Sequence, residues 1–237
     1  MPMLILAVDT SGRHGSVAVL RDQKVLATIG GLSDQPYASR LFVDVNKVLG
    51  EAQITLERVE LFAVASGPGS FTGLRVGLTA VKGWAEVFGR PIAPVSVLEA
   101  VAVQAPTRGT LVAPVMDARG GQVFGGIFRW RDAADGQMEL LGEEVVLAAD
   151  EFVQWVARQT PQGESPLFLS PTIEAIRPAL ASSRLAGARI EEVSGTLAPF
   201  IGRLGYARAL QGHLVDSLSL DANYVRRSDA EVNWRGP

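Results

Sequence analysis

A repeated pattern near the start of each half of the chain constrains its fold more than any other feature. Residues 4–20 read LILAVDTSGRHGSVAVL, and residues 111–128 read LVAPVMDARGGQVFGGIF. Each contains an apolar run that ends at an aspartate (Asp9 or Asp117), then a turn with arginine and glycine, then a second apolar run. Two apolar runs joined by a short glycine turn predict an antiparallel hairpin. The chain is therefore predicted to be a duplicated α/β protein.

The remaining periodicities give both halves the same element order, β-β-β-α-β-α. In the first half we predict a third strand over 24–30, a helix over 38–50, a strand over 61–66 and a helix over 72–88 that ends before Gly89. In the second half we predict a strand over 138–147, a helix from Asp150 as N-cap to Arg158, a strand over 166–170 and a helix over 172–181 interrupted near Pro178. This order is typical of the ribonuclease-H-like halves of the actin-like (ASKHA) superfamily.

The same pattern predicts two domains. The first covers residues 1–105 and is completed by a last helix over 198–211, and the second, smaller domain covers 106–197. The boundary is placed at PTRG, residues 106–109, because proline and glycine mark connections between elements. Residues 212–237 are predicted to form a C-terminal tail, which includes Trp234.

Composition and charge exclude several classes of protein. The chain of 237 residues has no cysteine, which excludes disulfides and thiolate zinc sites. Its formal net charge is −3, so it lacks the basic surface of a protein that binds nucleic acid alone. No apolar run is long enough for a membrane span, and the first residues lack the features of a signal peptide. We predict a cytoplasmic protein that contacts neither a membrane nor free RNA directly.

The stretch SGPGSFTGLRVG, residues 66–77, is the most unusual local sequence. It is not a Walker A loop, because Leu74 stands where lysine is required, and its glycine spacing differs from the dinucleotide fingerprint. Backbone amides at a helix start can still hold an anion weakly. Alternatively, Gly73 and Gly77 lie on one helical face and let another element approach closely. That element is either the sheet of the same domain or a helix, from this chain or from a partner.

Four motifs resemble the TsaB (YeaZ) family: ILAVDTS near the start, SGPGSFTGLRVGL, DAR at 117–119 and NYVRR at 223–227. The resemblance covers nearly the whole chain. It implies a non-catalytic, actin-like subunit that pairs with the catalytic paralogue TsaD and the ATPase TsaE. That complex makes threonylcarbamoyladenosine (t6A) at position 37 of tRNAs that read ANN codons. Together with the net charge of −3, this predicts that tRNA is contacted only through the complex. Without its partner, the apolar surface that binds the paralogue is predicted to drive homodimerisation.

The resemblance places the partner contact on the helices near 38–50 and 72–88. Absent side chains at Gly73 and Gly77 are predicted to let a partner helix pack closely, so a bulky substitution there should weaken pairing and leave the fold intact. In the family a histidine often opens the first helix, whereas this chain has Tyr37. The predicted interface residues are Leu41, Val45, Val48, Gly69, Phe71, Thr72, Gly73, Arg75, Val76, Gly77, Leu78, Ala80 and Val81.

No catalytic, cofactor-binding or metal-binding residue is predicted. His14 and His213 are the only histidines, and they are too far apart in sequence to form a helical metal-ligand pair.

The alternative function is a small-molecule phosphotransferase that uses Asp9, Asp117 and the Gly67–Gly73 loop. Against it, both aspartates suit a role in which they accept hydrogen bonds from backbone amides at strand ends. A third option is an anion-binding regulator. Arg226 and Arg227 are candidates for contact with tRNA or a partner.

Overall fold

The computed structural model describes residues 2–32, 35–107, 109–130 and 138–225. Arg226 and Arg227, the candidates for contact with tRNA or a partner, and Trp234 of the predicted tail lie outside the described residues. The strands are β1 Leu4–Asp9, β2 Ser16–Arg21, β3 Lys24–Gly30, β4 Leu61–Gly67, β5 Ile92–Ser96, β6 Leu111–Arg119, β7 Gln122–Gly125, β8 Phe128–Trp130, β9 Met138–Leu140, β10 Val145–Ala148, β11 Leu167–Ser170 and β12 Ile190–Glu192. The helices are α1 Tyr37–Ala52, α2 Phe71–Phe88, α3 Val97–Ala102, α4 Ala149–Gln159, α5 Arg177–Ala181 and α6 Ala198–Leu210.

The strands form two sheets with matching topology. The first has the order β3-β2-β1-β4-β5, and the path of the second is β10-β7-β6-β11-β12. In each sheet the first three strands of that path are antiparallel neighbours and the last two extend the central strand in parallel. The predicted duplication of a β-β-β-α-β-α unit is therefore confirmed.

The meander of the second half differs from the prediction. β7 and β8 pair with β6 in one register, with Val115 opposite Gly125 and Leu111 opposite Arg129. They form one strand interrupted at residues 126–127. Opposite that interruption, residues 141–144 separate β9 from β10, so the single strand predicted over 138–147 is divided by a bulge. The amide of Leu141 donates to the Ile127 carbonyl at 2.7 Å and holds the two sides together there.

The first sheet is covered on both faces. Along β1, Ile5 and Ala7 pack in one core cluster with residues of α3 and α6, whereas Leu6 and Val8 pack in a second cluster with residues of α1 and α2. This alternation follows from the two-residue period of a strand. Helix α6 follows the second half in sequence but returns to the first sheet. The boundaries proposed for the two domains stay a prediction.

The end of α2 agrees with the boundary predicted from the sequence, whereas the start of α4 differs from its predicted boundary. Helix α2 ends at Gly89, which adopts the left-handed conformation that glycine favours at this position. Helix α4 begins at Ala149, so Asp150 lies in its first turn and is not the N-cap that the sequence suggested. Elements β5, α3 and β12, which are at most six residues long, were not predicted. No helix in the described part of the chain is long and apolar enough to cross a membrane.

Part of the predicted tail belongs to the folded body. We call residues 213–225 the C-terminal strap. Val215 forms a β-bridge with Ile92, the side chain of Leu220 is only 1% exposed, and the amide of Asn223 donates to the Ser66 carbonyl at 2.7 Å. The segment predicted as a C-terminal tail is therefore held against the first half over its described residues, because one buried leucine and pairing at the edge of the sheet fix it there.

Candidate functional site

The glycine stretch joins β4 to α2 by a loop with specific local signals. The side chain of Ser70, the N-cap of α2, accepts a hydrogen bond from the amide of Gly73 at 3.3 Å. The amide of Ser70 donates to the Ser11 carbonyl at 2.7 Å. Two of the amides that could have faced an anion are therefore occupied within the protein.

The glycines of α2 admit the chain's own backbone. A β-carbon placed on Gly73 would lie within 3.0 Å of the Thr10 carbonyl oxygen, and one on Gly77 within 3.0 Å of the Thr10 hydroxyl. A β-carbon on Gly69 would meet the Ser11 carbonyl in the same way. The proposal that these glycines admit a partner helix is therefore wrong. They let α2 pack on the loop after β1, so a bulky substitution would disturb the fold itself.

The predicted interface residues divide by the face of the helix they occupy. Phe71, Thr72, Arg75, Val76 and Ala80 are exposed or half-buried. Gly69 lies against Ser11. Seven others are buried in the first half and are not accessible to a partner without unfolding: Leu41, Val45, Val48, Gly73, Gly77, Leu78 and Val81. Helical periodicity identified an apolar face correctly, but that face covers the sheet.

The opposite face of α1 and α2 exposes other apolar side chains. The exposed fractions are 56% for Phe42, 63% for Val43 and 76% for Val87. The Phe42 ring packs edge-on against Trp84, with ring centroids 5.9 Å apart, and thereby joins the two helices. We call this surface the outer helix face; it comprises Phe42, Val43, Val76, Ala80, Trp84 and Val87. The run Leu41-Phe42-Val43 was its sequence signal, because three consecutive apolar residues cannot all face one side of a helix.

Tyr37 anchors the start of α1. Its hydroxyl donates to the Gly12 carbonyl at 2.5 Å, and a β-carbon on Gly15 would collide with its ring. Arg40 donates to the Gly15 carbonyl at 3.2 Å. Pro36, the N-cap, provides no side-chain hydrogen bond, so these contacts fix the helix start instead. Burial, with a smaller contribution from the negative charge of Asp9, raises the pKa of Tyr37 to about 12.

Asp9 and Asp117 occupy equivalent positions but different environments. Asp9 is 3% exposed, and its carboxylate accepts hydrogen bonds from the Ser11 amide at 2.9 Å and the Ser11 hydroxyl at 2.6 Å. Burial raises the pKa of Asp9 to about 6, although the Ser11 hydrogen bonds lower it in part. Asp117 is exposed and accepts from the Arg119 amide at 2.7 Å. Both carboxylates thus accept a hydrogen bond from the amide two residues on.

A cleft lined by residues of both halves contains a set of paired polar groups. Glu144, just before β10, accepts a hydrogen bond from the Asn223 side chain at 2.6 Å and another from the Ser96 hydroxyl. Glu99 pairs with Arg208 at 2.5 Å. Burial raises the pKa of both glutamates. Through its hydrogen bonds with Ser96 and Asn223, Glu144 connects the second half to the first half and to the C-terminal strap.

The two histidines lie apart from any ligand cluster. His14 is half-buried beside Gly195, where its ring leaves no room for a β-carbon, so its side chain has a packing role; His213 is exposed on the C-terminal strap. Among the described residues, no group of three or more histidine, aspartate or glutamate side chains could hold a metal ion.

Comparison with known proteins now bears on this geometry. Residues 18–178 match the family model described as TsaD: tRNA N6-adenosine threonylcarbamoyltransferase. The tRNA threonylcarbamoyladenosine biosynthesis protein TsaB of Bacillus subtilis (strain 168) is 29% identical, over 98% of this chain and 98% of its own. YeaZ from Pseudomonas aeruginosa superimposes with a TM-score of 0.76 at 26% identity, over 94% of this chain and 99% of its own. The chain belongs to the TsaB (YeaZ) family.

The structural likeness extends beyond the TsaB family. Component A of (R)-2-hydroxyglutaryl-CoA dehydratase from Acidaminococcus fermentans superimposes with a TM-score of 0.51 at 11% identity, over 88% of this chain and 99% of its own. At that identity the likeness concerns the fold alone. It agrees with the actin-like architecture that the element order predicted.

Proposed function

We propose that this chain is a non-catalytic subunit in the biosynthesis of t6A at position 37 of tRNAs that read ANN codons. It pairs with the catalytic paralogue TsaD, and the ATPase TsaE joins the complex. The names of the TsaB relatives and the match to the TsaD family model support this assignment. The net charge of −3 agrees with a subunit that reaches tRNA only through the complex. A cytoplasmic location is part of the same proposal.

The outer helix face is the observation that supports pairing best. It exposes Phe42 and Val43 of α1 and Val87 of α2, and the Phe42 ring packs against Trp84 of α2. A contiguous exposed apolar patch is typical of a surface that binds another protein. Aromatic side chains at the centre of such a patch commonly contribute most of the binding free energy. The predicted contact on α1 and α2 therefore moves from the buried side of the helices to their outer side.

The inner side of the same helices argues against the phosphotransferase alternative. Asp9 is buried and bound to Ser11, so its carboxylate does not face a cleft in which a metal–nucleotide complex could bind. In the loop at Gly67–Gly73, Gly69 and Gly73 pack on residues 10–11 and Gly67 packs on Asn223, so these glycines leave no space for a phosphate. Calorimetry with ATP and magnesium tests this point. We expect no heat of binding to the isolated chain; micromolar affinity would favour the enzyme.

Pairing is tested with a charge on the outer helix face. Phe42→Asp places a carboxylate where we expect an apolar partner surface, so the affinity for the purified paralogue should fall roughly 30-fold or more. Leu210→Asp is the matched control, since Leu210 is 69% exposed at the end of α6, the helix on the opposite face of the sheet. Binding is measured by biolayer interferometry. An unchanged affinity of the Phe42→Asp variant would remove the outer helix face from the proposal.

The same surface accounts for the proposed homodimer of the isolated chain. Without its paralogue, the chain can cover Phe42 and Val43 with the equivalent face of a second copy. Light scattering after gel filtration should give a dimer for the unmodified chain and a monomer for Phe42→Asp. Addition of the paralogue should convert the homodimer into a heterodimer, since both would use one surface.

A further inference from the structure

Helix α2 is bordered by different elements on its two sides. Towards α1, its residue Trp84 packs against Phe42. On the other side, residues of one face of α2 contact the C-terminal strap: Phe71 and Arg75 meet Tyr224, and Glu86 accepts a hydrogen bond from Ser217. The exposed ridge of α2 therefore runs between α1 and the strap.

The strap holds Tyr224 in a fixed position beside the start of α2. The preceding residue, Asn223, donates its amide to the Ser66 carbonyl at 2.7 Å, and its side chain binds Glu144 of the second half. The Asn223 carbonyl lies so close to Gly67 that a β-carbon there would collide with it. Further back, Leu220 is buried in the core between the sheet and α1 and α2. Tyr224 is thus presented by a segment that is itself anchored at several points.

The side chains around Tyr224 form a compact and accessible cluster. Its ring centroid lies 5.1 Å from that of Phe71, and the Arg75 guanidinium carbon lies 4.0 Å from the Phe71 ring centroid. The Arg75 Nε donates to the Tyr224 hydroxyl at 3.4 Å. Tyr224 nevertheless remains 42% exposed, and Arg75 is exposed. Tyrosine and arginine are among the residue types enriched at energetically dominant positions of protein interfaces.

We propose that Tyr224, held by the C-terminal strap, completes the surface that binds the catalytic paralogue. This inference rests on the proposed function, because it assumes pairing through α1 and α2. The partner surface ends in an aromatic and cationic corner formed by Phe71, Arg75 and Tyr224. The fitting partner segment presents an apolar side chain to the rings and an oxygen acceptor, a carboxylate or a carbonyl, to Arg75 and the Tyr224 hydroxyl. Sequence reasoning missed this contribution because Tyr224 lies 149 positions from Arg75.

The test compares variants within the strap. Tyr224→Ala should weaken binding to the purified paralogue roughly 10- to 100-fold, because truncation of an energetically dominant interface side chain costs on the order of 2 kcal/mol. Leu218→Ala, in the same strap and 88% exposed, is the control and should leave the affinity unchanged. Tyr224→Phe keeps the ring and removes the hydroxyl, so its affinity should fall between those of Tyr224→Ala and the unmodified chain.

A second measurement does not depend on truncating the aromatic contact. Because the chain has no cysteine, Tyr224→Cys introduces a unique thiol. Its reaction with a maleimide should slow at least 10-fold when the paralogue is added, whereas the thiol of a Leu210→Cys variant should react at the same rate with and without the paralogue.

The outcomes separate this inference from the proposed function. If Phe42→Asp abolishes pairing while Tyr224→Ala binds normally and the Tyr224→Cys thiol stays reactive, the role of Tyr224 is refuted and pairing through the outer helix face stands. If neither position affects binding to the paralogue, the proposed pairing surface itself fails. If both variants weaken binding and the thiol is protected, both are supported.

Discussion

The two halves of this chain share one sheet topology, yet only the first has developed an extended helical surface. After β4 the first half continues into α2, a helix of 18 residues, and after β3 into α1, a helix of 16 residues. The corresponding helices of the second half are α5, with five residues, and α4, with 11. Pro178, at the start of α5, lies where α2 continues without interruption. The first half therefore carries the two longer helices, the ones on which pairing is proposed.

The turns that follow the central strands β1 and β6 also differ between the halves, because the first turn is buried and the second is exposed. In the first half, residues 10–11 are buried under α2, and they fit there because Gly73 and Gly77 have no side chains. In the second half, a β-carbon on Gly120 or Gly121 would meet nothing within 4 Å, and Asp117 is exposed. The equivalent aspartate is therefore a core residue in one half and a surface residue in the other. Three predictions test this difference.

The largest expected effect concerns the packing of α2 on residues 10–11. Gly73→Ala forces a methyl group into the Thr10 carbonyl oxygen, and overpacking of this kind costs about 3 kcal/mol of unfolding free energy. Gly83→Ala, on the exposed side of the same helix, has nothing within 4 Å and should stabilise by up to about 1 kcal/mol. Urea unfolding measures both. Equal stabilities for the two variants would contradict the tight packing of α2 on residues 10–11.

The next effect concerns the buried carboxyl group. Because the pKa of Asp9 is raised from 3.8 to about 6, the folded state binds a proton more tightly than the unfolded state. Its contribution to stability is present at low pH and is lost as pH rises through 6, by about 2 kcal/mol between pH 4 and pH 7. Asp9→Asn should remove this part of the pH dependence. Urea unfolding at pH 4, 5.5 and 7 gives the comparison, and parallel curves for the two proteins would contradict the burial of Asp9.

The smallest effect concerns the counterpart in the second half. Asp117→Asn changes an exposed carboxylate and can keep the hydrogen bond from the Arg119 amide through its carbonyl oxygen. We expect the unfolding free energy to stay within about 0.5 kcal/mol of the unmodified chain, as for most surface substitutions. The thermal midpoint is a sufficient measurement here. A loss as large as that of Gly73→Ala would show that the two turns are equally integrated into their halves.

Local signals predicted the elements that short-range physics controls. The end of α2 at Gly89 follows from the freedom of glycine to adopt a left-handed conformation, and the order of strands and helices follows from apolar periodicity. The bulge at residues 141–144 was not visible in this way, because it depends on how that segment pairs with β7 and β8. The position of the strap was likewise hidden, since its partners Ile92 and Ser66 are distant in sequence.

The candidate site likewise combines features that the local sequence predicted with features that only contacts between distant segments determine. Periodicity identified α1 and α2 as amphipathic and located the glycine stripe, but it could not say what the stripe would contact. That was decided by the loop at Thr10, which folding brings against α2 from 63 positions before Gly73. The outer helix face then remained as the exposed apolar surface of these two helices.

The order of amino acids alone established a duplicated α/β chain with the motifs of the TsaB family, because hydrophobic period and local turn chemistry act over a few residues. Tertiary packing decided which side of each helix is available and that Tyr224 lies beside Arg75. Those facts depend on contacts between distant segments, which no local pattern encodes.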